Sequence, residues 1–216
     1  MKKKLVFAGT LLLAIVSIFA VHSCSNSMDE DLEILKSQEE EKVLLSQEIS
    51  GFKSDVVNTI MQNRTRNANT LTLSDEQIRN LRASSLEFLK SQGFEERDYR
   101  DFMKEDDPRL ILYATLYAGI LETNIDRMYG MKTRSEGSGS GGDNICYDIA
   151  QVSVCMLRAV ESGVGIDTIM QALTGKCLTK AVCKALLKTI VRKVPWIAVA
   201  VALDTFIDCM GWYPWS

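Results

Sequence analysis

Cysteines are the residues of this chain whose type and spacing point most directly to chemistry. All but one of the six lie in the C-terminal third, at Cys146, Cys155, Cys177, Cys183 and Cys209. In a protein that leaves the cytoplasm, such a concentration predicts disulfide bonds, and the odd number leaves one thiol that stays free or pairs between molecules. Metal binding is the alternative, but no paired C-x-x-C spacing is present. We therefore expect disulfides and no metal site, with a connectivity that the spacing leaves open.

The N-terminus has the composition of an export signal. Lysines at positions 2–4 precede an apolar run from Leu5 to about Val21, which is typical of a secretory signal peptide. The segment Val21-His22-Ser23-Cys24 resembles a bacterial lipobox, whose cysteine becomes the lipid-modified first residue of the mature protein. The resemblance implies that Cys24 carries acyl chains such as palmitate and that membrane lipid is a partner. A plain cleaved signal or a single membrane anchor is the alternative.

The residues after Cys24 bear on the destination of the protein. Asp29, Glu30 and Asp31 place three acids close to the anchor, and this looks like the acidic export signal of surface lipoproteins in the Bacteroidota. The same acids also suit a solvated tether. The resemblance implies a lipid-anchored protein of the cell envelope, at the outer membrane, on either the periplasmic or the surface side.

Catalytic chemistry is restricted by the histidine content. His22 is the single histidine of the 216 residues, and it is removed together with the signal. The mature chain therefore has no Ser-His-Asp or Cys-His site, no histidine base and no histidine zinc ligand. Walker, C-x-x-C and EF-hand motifs are also missing, and the glycine-rich stretch at 137–142 is typical of a flexible linker. We expect no catalytic residues and no cofactor, and a carboxylate or thiol enzyme stays as a minor alternative.

Composition divides the chain into four parts. Residues 1–23 form the lipoprotein signal peptide, and residues 24–134 form a tether followed by a helical part. Residues 135–143 are a Gly/Ser linker, and residues 144–216 form a cysteine-containing module of four helices. Arg134 lies directly before the linker, so it is a candidate processing site, with a permanent linker as the alternative. The predicted fold class is all-α.

The part before the linker carries several helix signals. Residues 29–62 have apolar residues at helical spacing, with Gly51 as a candidate break. Ser74 and Gln77 predict a capping box, Gly93 a helix end, and Asp107-Pro108 a helix start. A short helix is predicted at 95–104 and a long apolar one from Pro108 to about Met128. The acids and bases of 95–109 predict a surface with many salt bridges rather than a calcium site.

The sequence leaves open the role of two tyrosines in the long apolar helix. Tyr113 and Tyr117 are four residues apart, so they share one face of the predicted helix. They could bind a ligand on that face. Core packing is the interpretation that we favour.

The third helix of the C-terminal module, at 176–193, is the most regular segment. Basic residues recur every four positions, at Lys176, Lys180, Lys184, Lys188 and Arg192. Apolar residues recur every four positions with an offset of two, at Leu178, Val182, Leu186, Ile190 and Val194. An offset of two places the rows on opposite sides of a helix. Between Thr168 and Leu203 there is no acid, so the segment predicts a cationic amphipathic helix.

An apolar helix and an aromatic tail complete the module. The other helices are predicted at 144–162, at 166–173 and from Pro195 onward, and the last begins with Trp196. Trp212 and Trp215 lie in the final residues, and such aromatic residues favour membrane interfaces and partner surfaces. The basic row, Trp196, Trp212 and Trp215 are therefore the candidate contacts with a membrane or an envelope protein. No nucleic-acid motif is present, and the pI of about 5.4 argues against that partner.

The layout of the module resembles the precursors of helical bacteriocins and, more distantly, saposin-like domains that perturb membranes. The resemblance covers roughly residues 144–216 and rests on composition. It implies a non-enzymatic protein whose module acts on membranes or partners, with the N-terminal part as anchor and shield. A structural or partner-binding accessory lipoprotein of an envelope complex, with the tryptophan-rich tail as a docking edge, is the alternative. A plain helical bundle, in which the lysines face solvent and the apolar rows form a core, is a further interpretation of the module and is compatible with membrane activity.

Overall fold

The computed structural model describes residues 33, 35–64, 71–102, 104, 106–132, 147–160, 170, 171, 173 and 175–215. The chain divides into two units, Met1–Val43 and Leu44–Ser216. In the first unit, residues 35–43 are helical, and everything below concerns the second. The all-α class is confirmed, because the described residues form helices and one isolated antiparallel bridge, between Tyr147 and Leu178.

Seven α-helices of the second unit can be followed through the described residues. They are α1 (44–64), α2 (Asp75–Ser91), α3 (Glu96–Tyr99), α4 (Arg109–Lys132), α5 (Ala150–Ala159), α6 (Lys180–Lys193) and α7 (Val199–Cys209). Turns of 3-10 helix follow α3 at Arg100–Phe102 and precede α7 at Trp196–Ala198. Gly51 does not break α1, which continues through it.

The helices α1 and α2 form by the signals expected from their sequences. The Ser74 hydroxyl accepts a hydrogen bond from the Gln77 amide, and the Gln77 side chain accepts one from the Ser74 amide. This is the predicted capping box. After α2 the chain turns at Gly93, whose φ of 69° suits glycine. Phe52 of α1 stacks on Phe88 of α2 with ring centroids 4.7 Å apart.

The long helix α4 is the centre of the core. Residues 110–121 are all buried, and α4 packs against α2, α5, α6 and α7. Tyr113 and Tyr117 are fully buried, so core packing is confirmed as their role. The predicted end near Met128 is wrong, since α4 continues to Lys132. Burial of Met128 and Tyr129 offsets the roughly 1 kcal/mol that a glycine at position 130 costs a helix.

Two C-terminal helices begin later than their apolar patterns predicted. The helix α5 begins at Ala150 rather than 144, because Tyr147 pairs with Leu178 and the Asp148 carboxylate accepts a hydrogen bond from the Ala150 amide. The helix α6 begins at Lys180 rather than 176, with Thr179 as its N-cap. The helix predicted at 166–173 lies mostly outside the described residues, of which 170, 171 and 173 are helical.

Helices from both sides of the predicted linker build one core. Buried residues of α1, α2 and α4 form a single cluster with those of α5, α6 and α7. The linker itself, 135–143, lies outside the described residues. The cationic module is therefore packed against the helices that precede it in sequence.

Two carboxylates hold the C-terminus against α1. Glu122 of α4 accepts hydrogen bonds from Lys53 at 2.7 Å and from the Trp212 indole at 2.6 Å. Asp204 of α7 pairs with Arg64 at 2.6 Å and accepts a hydrogen bond from the Tyr213 hydroxyl. Charge-assisted hydrogen bonds of this kind are among the stronger polar contacts.

Candidate functional site

The candidate site is built on α6 and the corner that follows it. Leu178, Leu186, Ile190 and Val194 are buried as their row predicted, but Val182 is 41% exposed. A row that repeats every four residues winds around a helix of 3.6 residues per turn by about 40° per step. The buried face of α6 therefore includes other residues, namely Cys183, Leu187 and Val191.

The basic row of α6 is largely paired with acids from the α3 segment. Lys184 contacts Asp98 at 2.5 Å and Lys188 contacts Asp101 at 3.1 Å. Arg192 also pairs with Asp101. The sequence predicted an amphipathic helix without an acidic partner nearby in the chain, and the partners come from about 90 residues earlier. In this fold three of the five basic residues of the row, Lys184, Lys188 and Arg192, are engaged in intramolecular ion pairs.

The paired aspartates are held in their charged form. Burial by itself would raise the pKa of Asp98, but the hydrogen bond and charge of Lys184 lower it. Hydrogen bonds from Arg192 and Lys188 lower the pKa of Asp101. These ion pairs therefore persist at neutral pH.

The first two lysines of the row also meet an aromatic ring. The Lys184 ammonium lies 4.3 Å from the centre of the Phe94 ring, and that of Lys180 lies 5.7 Å from it. Lys180 in addition donates to the Gln92 carbonyl oxygen. Lys176 precedes α6 and is exposed.

The corner between α6 and α7 presents an apolar surface to solvent. Trp196, Ile197 and Val201 are 61%, 69% and 48% exposed, and we name them the 196–201 corner. Arg192 and Lys193, the last basic residues of α6, are also exposed and precede it directly. Large apolar side chains beside exposed cations suit a membrane interface or a partner surface.

The two tail tryptophans differ in their surroundings. Trp212 is buried, packs edge-on against Phe206 and donates to Glu122, so its indole is part of the core and not a surface contact. Trp215 is 60% exposed and stacks on Tyr213 with ring centroids 5.0 Å apart. Of the pair, Trp215 is the one available to a partner.

The described cysteines take two different roles. Cys155 of α5 and Cys209 of α7 form a disulfide with Cα atoms 5.4 Å apart, and Cys177 is also disulfide-bonded. Cys183 is free and buried, and burial raises the pKa of its thiol to about 12. A thiol with a raised pKa is a poor nucleophile.

Several predicted residues and features lie outside the described residues. They are the lipid attachment site Cys24, the processing site Arg134 and the cysteine Cys146. In the described part of the chain, no group of three or more Cys, His, Asp or Glu side chains is arranged to hold a metal ion. Among the same residues, no helix combines the length and apolarity needed to cross a bilayer.

Sequence reasoning missed the acidic half of the site. Asp98 and Asp101 were expected to pair with basic neighbours in their own segment, as Arg97 does with Glu95 at 2.9 Å. The one usable signal was the excess of acids in residues 95–107 and of bases in α6.

Comparison of the chain with protein-family models, with curated proteins and with solved structures finds no match in any of the three.

Proposed function

We propose that this protein is an exported lipoprotein without enzymatic activity, anchored through Cys24 at the cell envelope, whose 196–201 corner contacts a membrane. The observation that carries the proposal is the exposure of Trp196, Ile197 and Val201 on a domain whose other large apolar side chains are mostly buried. A tryptophan and an isoleucine at one tip are the residue types that enter the headgroup region of a bilayer.

Charge supports an anionic membrane as the surface that this corner meets. Lys193 precedes the corner and is exposed, its neighbour Arg192 is paired with Asp101, and the sequence contains no acid between Thr168 and Leu203. Each basic residue near an anionic bilayer contributes on the order of 1 kcal/mol of attraction. Acyl chains on Cys24 would keep the domain at the bilayer, so the corner need only add a second, weaker contact.

The pairing of the basic row changes how a bacteriocin-like action could operate. Lys184, Lys188 and Arg192 are engaged with Asp98 and Asp101 in the intact fold. A membrane-disrupting action by the whole row therefore requires separation of 144–216 from the preceding helices, for example by cleavage near Arg134. The N-terminal part would act until then as a shield.

An accessory lipoprotein that binds an envelope protein is the second candidate. The exposed Trp215, stacked on Tyr213, favours it, because tryptophan is enriched among the residues that dominate protein interfaces. In that case the 196–201 corner would contact a protein partner rather than a membrane.

Vesicle binding tests the proposal. In a Cys24→Ser background, which removes the anchor, the chain should bind vesicles containing phosphatidylglycerol. Replacing both Trp196 and Ile197 by Ser should weaken that binding about tenfold or more, because each large apolar side chain contributes roughly 1.5–3 kcal/mol when fully buried. Co-sedimentation measures the affinity, and a blue shift of tryptophan fluorescence reports insertion.

Val182→Ser is the matched control. Val182 is 41% exposed and lies in the first turn of α6, at the opposite end of that helix from the corner, so its replacement should leave binding unchanged. Equal binding by the corner variant and this control would contradict the membrane proposal. Co-purification of an envelope protein that depends on Trp215 would then favour the accessory role.

A further inference from the structure

We propose that the cleft between residues 93–98, which include the start of α3, and the N-terminal half of α6 binds a phosphate group that carries at least two negative charges. The ligand class is a phosphomonoester or a diphosphate, either on a soluble molecule or on a lipid headgroup. The inference rests on the side chains of this cleft and is independent of the 196–201 corner.

The cleft has the size and charge of an anion site. Its volume is about 470 Å³, within the range of roughly 300–1,000 Å³ that is usual for small-molecule pockets. The cationic side chains that line it are Arg97, Lys180, Lys184 and Lys188, and Asp98 is the carboxylate among the lining residues. The small side chains of Ala181 and Ala185 lie between the lysines and leave the helix surface open to a ligand.

Two ammonium groups of the cleft lie over the same aromatic ring. Lys180 and Lys184 both lie over the ring of Phe94, at 5.7 Å and 4.3 Å from its centre. A β-carbon on Gly93 would come within 3.3 Å of the Lys180 ammonium, so glycine makes room for it. An anion in the cleft would be attracted to both charges.

The N-terminus of α6 strengthens the positive field. Lys180 is the first residue of this 14-residue helix, and its first turn contains no acid. The partial positive charge of the helix dipole at that end is therefore not compensated by a carboxylate of its own first turn. An anion in the cleft would face both the lysines and this helix end.

Asp98 and Asp101 set the charge that a ligand must carry. They already pair with Lys184 at 2.5 Å and with Lys188 at 3.1 Å, so a bound anion competes with two internal carboxylates. Arg97 is more accessible, because its 2.9 Å pair with Glu95 joins side chains that are 74% and 63% exposed, and exposed pairs are weak. A monovalent anion gains little against Asp98, whereas a divalent or trivalent phosphate contacts several cations at once.

Calorimetric titration with pyrophosphate, and with inorganic phosphate as the smaller probe, tests the site. Arg97→Gln should weaken pyrophosphate binding about tenfold, as the loss of a charge-assisted hydrogen bond predicts. Asp98→Asn should strengthen it, because the competing charge is lost while a side-chain oxygen remains to accept from the Glu95 amide. Lys90→Gln, an exposed lysine at the end of α2, should leave the affinity unchanged.

Any of three outcomes would overturn the proposal. They are no saturable binding at millimolar pyrophosphate, equal effects of Arg97→Gln and Lys90→Gln, and weaker binding by an Asp98→Asn variant that keeps a cooperative thermal transition.

A vesicle experiment distinguishes a phosphate on a soluble molecule from a phosphate on a lipid headgroup. It compares vesicles with and without phosphatidic acid, in a variant whose Trp196 and Ile197 are already replaced by Ser. Binding of pyrophosphate alone supports a soluble ligand, and additional binding to phosphatidic acid supports a headgroup.

Discussion

Gly119 is a residue whose importance only the packing reveals. It lies within α4, where a β-carbon would meet the Phe206 ring of α7 at 2.7 Å. No real β-carbon tolerates that distance, so α4 and α7 can approach this closely only if position 119 lacks a side chain. In the sequence this glycine reads merely as an interruption of a helix.

We predict opposite effects of alanine at two helical glycines. Gly119→Ala should destabilise the fold by about 1–3 kcal/mol, because Phe206 must leave its position in the core. Gly51→Ala has nothing within 4 Å of the new β-carbon and should stabilise α1 by up to about 1 kcal/mol. Urea unfolding of both variants measures the difference, and an unchanged Gly119→Ala protein would contradict the close packing of α4 on α7.

At the scale of the element, the start of α4 depends on Asp107. The carboxylate accepts from the Arg109 amide at 3.0 Å and from its guanidinium at 2.6 Å, while its carbonyl oxygen accepts from buried Arg82. Burial alone would raise the pKa of Asp107, but the hydrogen bonds and charge of Arg109 lower it. A lowered folded-state pKa stabilises the fold above the unfolded value, and this contribution is lost as the pH falls.

We predict that Asp107→Ala costs about 1–2 kcal/mol at neutral pH, through loss of a helix cap and a charged hydrogen bond. Asp107→Asn keeps the cap and should cost less. Both differences in unfolding free energy from the wild type should narrow as the pH falls below about 4, because Asp107 of the unfolded wild-type chain then binds a proton that the folded carboxylate, with its lowered pKa, still resists. Chemical denaturation across this pH range measures the differences, and a difference that stays constant with pH would exclude the charge as their cause.

The helices differ in how well their boundaries could be predicted from local sequence. The capping box at Ser74 and the start at Asp107-Pro108 are local signals, and both predicted helices are present. The start of α5 follows instead the pairing of Tyr147 with Leu178, which joins residues 31 positions apart in the chain, and α6 begins directly after the same pairing, at its N-cap Thr179. Local propensity carries no information about such a partner, so the boundaries were predicted several residues too early.

For the whole molecule, the same limit applies to the candidate site. The positions of the lysines and tryptophans were readable, but their surroundings depend on segments that lie far away in the chain. Asp98 and Asp101 neutralise much of the basic row, and Glu122 holds Trp212 inside. Trp196, Ile197 and Val201 of the 196–201 corner lie outside the shared core and stay exposed.

The shared core leads to a prediction for the fragment 144–216. In the intact chain α5, α6 and α7 all pack against α4, and buried residues such as Leu187 and Phe206 belong to one cluster with those of α1, α2 and α4. Removal of α4 would expose these apolar faces to water. Segments shorter than about 70–80 residues rarely gain more than 3–5 kcal/mol of folding stability from a hydrophobic core. The isolated fragment would in addition lose the core contacts that its helices make with α4.

We therefore predict that the isolated fragment keeps helical secondary structure but loses fixed tertiary packing. It should show weak near-ultraviolet circular dichroism and strong binding of an apolar dye, whereas the intact mature chain shows the reverse. The Cys155–Cys209 disulfide joins α5 to α7 but replaces none of the contacts with α4. A fragment with a cooperative thermal transition and dispersed amide resonances would contradict the shared core.

If the fragment does lose its packing, cleavage near Arg134 would convert a folded envelope protein into an amphipathic segment. Its basic row and its apolar faces would then both be exposed to lipid.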